Sequence, residues 1–178
     1  MVRFQTRSGE LTVSRSGELL TLDLPSHPAV PCIAPSELTE GLGRPAIFTA
    51  KARDYLAVFD SEKTVRNLRP DMAVLARLDA LGVIAAAPGE KSDFVSRFFG
   101  PRAGIPEDPV TGSAHCTLIP YWAERLKRVE LHAFQVSARG GELFCEDRGE
   151  RVRIAGRAVT YSSGFIHFSD HLETAHSA

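Results

Sequence analysis

Ten residues, Glu107-Asp108-Pro109-Val110-Thr111-Gly112-Ser113-Ala114-His115-Cys116, constrain this chain more than any others. Pro109 lacks an amide hydrogen and holds Asp108 out of the helical region, so the backbone reaches the turn extended. Gly112 allows a close main-chain approach, and Thr111 and Ser113 are residue types that cap free amides. From Ala114 to Leu126 the chain is apolar on nearly every side through Trp122, the pattern of an enclosed helix. The spacing therefore predicts a strand end, a tight turn and a central helix at about 112–126. One carboxylate, two hydroxyls and several unpaired N–H groups gather at the positive end of that helix, which suits an anion such as a substrate carboxylate. The same residues also read as ordinary strand–turn–helix punctuation, with the polar side chains serving as caps. Spacing alone does not choose between these readings.

Around this stretch the pattern is mostly of short strands. Alternation predicts strands at 2–6, 10–14 and 18–24, separated by the turns Ser8-Gly9 and Ser16-Gly17. Residues 25–45 carry Pro25, Pro28, Pro31 and Pro35 and then Gly41 and Gly43, which marks a connector with room for a short helix at 36–42. Strands follow at 46–49, 55–59, 83–87, 94–99, 131–137, 142–146, 152–154, 158–161 and 165–168. A helix opens at Pro70-Asp71, with Val74, Leu75, Leu78 and Leu81 on one face and Gly82 at its end. Pro120 lies inside the central helix and frees one carbonyl there, which Thr117 or a water would satisfy. Many strands around one enclosed helix describe a barrel-like roll rather than a doubly wound sheet.

Composition narrows the function classes. The 178 residues are 43% hydrophobic and 24% charged with a net charge of −1, the profile of a globular protein without a basic stripe for nucleic acid. No apolar run is long enough to span a membrane, and the first residues lack an apolar signal core, so a cytoplasmic protein is expected. Cys32, Cys116 and Cys145 have neither metal-ligand spacing nor a disulfide pattern, and Cys116 reads as a buried structural thiol. His132 and the tail histidines His167, His171 and His176 form no ligand set, so no metal is expected.

The segment EDPVTGSAHC at 107–116 resembles the signature of the phenazine-biosynthesis (PhzF-like) family, relatives of diaminopimelate epimerase. The resemblance continues through Pro120–Leu126, Gln135–Leu143 and Gly156–Val159, and upstream through Asp93–Phe99 and Gly104–Pro106. It implies an α+β fold, the diaminopimelate epimerase-like roll, with an antiparallel or mixed sheet wrapped around a central helix. Family members have two lobes with the reaction in the cleft between them, and this chain matches their later two-thirds. Residues 1–35 then correspond to remnant strands of an incomplete first lobe and its connector, and 36–178 to the second lobe. The apolar faces and edges of the first strands would be left uncovered. The first lobe's catalytic glutamate and its Gly-His-Ala-Thr turn have no counterpart here.

The resemblance further implies a cofactor-independent isomerase that moves a proton on a small carboxylic acid by acid–base chemistry. Asp108 would be the acid/base or orienting group. Ser113, Gly112 and Thr111 would bind the substrate carboxylate, and His115, beside them in sequence, is a further substrate-binding candidate. With half the cleft absent, the expected partner is a second copy of the chain or a polypeptide supplying the first lobe. The alternative is a non-catalytic remnant that binds small acids or serves as a dimerising piece.

Overall fold

Alternation along the chain's third strand puts Leu20, Leu22 and Leu24 on one face, and that face is where the architecture begins. The computed structural model describes residues 1–7 and 9–166. In chain order the elements are β1 (Val2–Thr6), β2 (Gly9–Ser16), β3 (Leu19–Pro25), β4 (Val30–Pro31), α1 (Ser36–Leu42), β5 (Phe48–Lys51) and β6 (Tyr55–Val58). Next come α2 (Glu62–Asn67), α3 (Met72–Leu75), β7 (Val83–Pro88), β8 (Phe94–Gly100) and, after a 3-10 turn at Pro101–Ala103, β9 (Ile105–Asp108). The last are α4 (Gly112–Leu126), β10 (Glu130–Gln135), β11 (Gly141–Asp147) and β12 (Arg151–Arg157).

The strands form one mixed sheet in the order β1-β2-β3-β12-β11-β10-β8-β7-β6-β5-β4, with β9 added beside β8. Among the described residues only β6–β7 and β8–β10 pair in parallel. Residues 1–35 and the rest of the chain share this sheet, because β3 pairs with β12 from Leu19↔Arg157 to Pro25↔Arg151. The expectation that the first strands keep open edges is therefore corrected for β3, and only β1 remains an outer edge on that side.

The middle of the sheet is buried on both faces. On β6, Leu56 and Val58 join the core beneath α4, while Tyr55 and Ala57 join a second core beneath α1, α2 and α3. On β7, Ile84 and Ala86 face α4 and Val83, Ala85 and Ala87 face the other way. Such strands read as continuous apolar runs because each face has its own cover. Trp122 of α4 stacks on Phe94 of β8, with ring centroids 5.6 Å apart and planes 4° from parallel. Both rings are buried, and aromatic stacking adds to their area burial.

Several local expectations change. The helix read from Pro70 onward is a single turn, Met72–Leu75, capped by Asp71, which accepts from the Ala73 and Val74 amides. Beyond it Leu78 N bonds Leu75 O, a tighter pattern, and Leu81 is 47% exposed. Gly82 is needed for close approach rather than as a helix stop, since a Cβ there would lie 2.4 Å from the Phe98 ring. Helix α2, unread in the sequence, is capped by Ser61, whose Oγ accepts from Thr64 N. No strand forms at 158–161, where Val159 and Tyr161 are almost fully exposed. The expected strand at 165–168 is not formed by Phe165 and Ile166, and its remainder lies outside the described residues. Ser8, of the expected Ser8-Gly9 turn, and the tail histidines also lie outside them.

Pro120 has a different partner from the one expected. The carbonyl it frees, that of Cys116, accepts from the His27 amide at 2.9 Å. A residue of the proline-rich connector thus takes the place of the missing helical donor. Among the described residues no helix is long and apolar enough to cross a membrane.

Candidate active site at the start of α4

Strand β9 delivers Asp108 opposite Phe98 of β8, and Pro109 then ends the pairing because it has no donor to give. The turn that follows is fixed by Gln135, the last residue of β10, whose side chain is 1% exposed. Gln135 Oε1 accepts from Thr111 N at 2.8 Å. Gln135 Nε2 donates to Asp108 O at 2.7 Å and to Thr111 Oγ1 at 3.1 Å. Ser137 adds a bond from its Oγ to Pro109 O at 2.8 Å and accepts from Gly140 N at 3.0 Å. Gly141 passes so near the turn that a Cβ there would stand 2.4 Å from Val110 Cγ2.

Thr111 occupies the N-cap position of α4 without capping it. Its hydroxyl donates instead to Asp108 Oδ2 at 2.6 Å, a short charge-assisted bond. The line Gln135–Thr111–Asp108 therefore orients the carboxylate and leaves Oδ1 as its open oxygen. With Thr111 N committed to Gln135, the amides of Gly112, Ser113 and Ala114 begin the helix and have no partner within it. Gly112 has space around it, as an added Cβ would meet only Leu24 Cδ1 at 3.8 Å. Ser113 is half-buried, and its Oγ accepts from Arg53 Nη2 at 3.1 Å. Beside these residues opens a groove of about 730 Å³ lined by Leu20, Leu22, Val110, Gly112, Arg139 and Gly141 among others.

Asp108, Thr111, Gly112 and Ser113 thus lie on one turn. His115 does not share their surface. It is fully buried, its ring 6.0 Å from that of Phe94, and its Nδ1–H donates to Thr111 O at 2.8 Å. Burial pushes its pKa down to about 4, against the opposing pull of the Thr111 carbonyl, so the ring stays neutral. Cys116 is buried one turn into the helix, and burial raises its thiol to about 11, partly opposed by Arg53. It is not a poised thiolate nucleophile. Among the described residues no cluster of His, Cys, Asp and Glu could hold a metal ion.

Gln135 and Arg53 were not singled out in the sequence. Gln135 has a legible signal: it breaks the apolar alternation Leu131, Ala133 at the next inward position. Arg53 has none, since it lies 60 residues from Ser113 in the chain.

The family described as phenazine biosynthesis-like protein, PhzC-PhzF, matches residues 1–164. Two proteins of Pseudomonas aeruginosa, each named an uncharacterized isomerase, are 50% and 52% identical to this chain over 94% of it. The crystal structure of a PhzF-family phenazine biosynthesis protein from Enterococcus faecalis superposes with a TM-score of 0.87 at 40% identity, covering 94% of this chain and 65% of that one. The chain spans 64% and 65% of the length of the two Pseudomonas relatives. On these grounds the chain belongs to the PhzC-PhzF family of phenazine biosynthesis-like proteins.

Proposed function

We propose that the turn at 108–113 is the catalytic wall of an isomerase that moves a proton on a small carboxylic acid. The observation that supports it most is the Thr111–Asp108 bond at 2.6 Å, which fixes a half-buried carboxylate beside the free amides of a helix start. Asp108 gives or takes the proton through its open oxygen. A positioned acid or base of this kind contributes ~10²–10⁴-fold to the rate. The Gly112 and Ser113 amides and the Ser113 hydroxyl hold the substrate carboxylate and the charge that develops next to it. Thr111 serves by aiming Asp108. His115 serves by packing, with its bond to Thr111 O steadying the first turn.

The opposite wall comes from the part of the relatives' length that this chain does not span. The face that would meet it is apolar and open: Val2, Phe4 and Leu22 of β1 and β3 are 55%, 49% and 37% exposed. Pairing places all three on the side that carries Ile154 and the core beneath α4.

The test is an isomerisation assay on a dihydro-hydroxyanthranilate, the acid handled by the family's namesake, with the polypeptide of the unspanned part supplied from a relative. Turnover should depend on Asp108, and Asp108→Asn should lower it by at least ~10²-fold with unchanged melting. Undiminished turnover by the variant would refute the assignment.

A further inference from the structure

We propose that Arg53 is the charge-recognising residue of this site, which makes it select carboxylates over neutral analogues; the inference rests on reading the 108–113 turn as a carboxylate site. Arg53 stands at the tip of the β5–β6 hairpin, whose strands pair up to Lys51↔Tyr55. The tip is closed by Ala52 N bonding Asp54 O at 3.1 Å. Asp54, whose side chain is 4% exposed, places Oδ2 3.5 Å from Arg53 Nε and so holds the near edge of the guanidinium. The same edge reaches α4, where Nη2 donates to Ser113 Oγ at 3.1 Å, which leaves Nη1 uncommitted. The Arg53 side chain is 58% exposed, so donors on it remain open to an arriving ligand.

Two consequences follow from the Ser113 contact. A lone pair of Ser113 Oγ is committed to a cation, which presets its own O–H as a donor pointing elsewhere. The Ser113 O–H, the Gly112 and Ser113 amides and the free Arg53 N–H groups then offer donors only. A planar carboxylate satisfies such a set with both oxygens and gains a charge-assisted bond from the guanidinium. A carboxamide of the same shape lacks the charge and so forgoes the charge-assisted bond from the guanidinium.

A purely mechanical role, tying the hairpin to α4, makes a different prediction. Benzoate and benzamide are matched probes, titrated separately into the ¹⁵N-labelled full chain while the Gly112 and Ser113 amide signals are followed. Wild type should bind benzoate at least about tenfold more tightly than benzamide, as charge-assisted bonding requires. Arg53→Gln should bring the two affinities within about twofold, and Arg53→Lys, which keeps the charge but not the fork, should restore part of the preference. An Arg53→Gln chain that melts normally and keeps the wild-type preference would overturn the proposal and leave Arg53 a tether. Absence of any benzoate response at Gly112 and Ser113 in wild type would overturn the carboxylate-site reading itself, and the proposal with it.

Discussion

Gln135 shows how one buried side chain sets a site. An amide buried without partners costs about 1–3 kcal/mol, and this one is satisfied by closing the Asp108–Thr111 turn from both sides. The same bonds pass orientation to Asp108 through Thr111. Thr111→Val keeps shape and removes the donor, so it should lower turnover roughly 10–100-fold, the worth of one hydrogen bond to a charged group. Thr111→Ser should retain most of the activity, and steady-state rates of the two variants decide the point. His115 brings a pH dependence of stability. The unfolded chain binds a proton near the ordinary imidazole value of 6.5, whereas the folded ring refuses one until about pH 4. Stability from this group is therefore present above pH 6.5 and is lost as pH falls toward 4, by about 3 kcal/mol in total. His115→Gln should flatten that fall, measured as urea midpoints at pH 7 and 4.5; equal falls in both chains would contradict it. At this scale the turn residues were legible, because Pro109 and Gly112 act locally. Arg53 was not, because its contact with Ser113 is made only by tertiary folding.

Element by element, the strands were easier to read than the helices. Strand periodicity is short and local, so β1–β3, β7 and β8 fall near their expected places. The helix expected from Pro70 failed because Leu78 and Leu81 share a spacing but not a fate: Leu78 is 3% exposed and Leu81 is 47% exposed. Helix α2 was missed because Glu62–Asn67 is too short to show a face. Helix α4 depends on a partner outside itself. Its Pro120 leaves Cys116 O to the His27 amide, so connector and helix are bonded together. His27→Pro removes that donor and orphans the carbonyl, which should cost about 1–3 kcal/mol in thermal unfolding. Pro120→Ala in the same chain restores a helical donor for Cys116 O, and the cost should shrink. A strictly additive pair would show that the two sites are uncoupled.

Among the described residues, strands β1 to β12 build one sheet with a helix layer on each face, yet α4 covers the β10–β12 region and leaves β1 and β2 bare on the same side. Resemblance made the family and the mixed sheet legible. It did not reveal that β3 and β12 would join the first strands to the rest, since that pairing spans the chain from Leu19 to Arg157. If the bare face receives the part of the relatives that this chain does not span, light scattering should show a one-to-one complex when that polypeptide is added. A dimer of this chain that excludes the added polypeptide would instead assign the face to self-association. Proton transfer at Asp108 is tested most directly by solvent exchange, with a dihydro-hydroxyanthranilate incubated in D₂O with that complex and examined by mass spectrometry. Deuterium should enter carbon with the wild-type chain and be absent with Asp108→Asn; equal incorporation by both would contradict Asp108 as the proton-transfer residue.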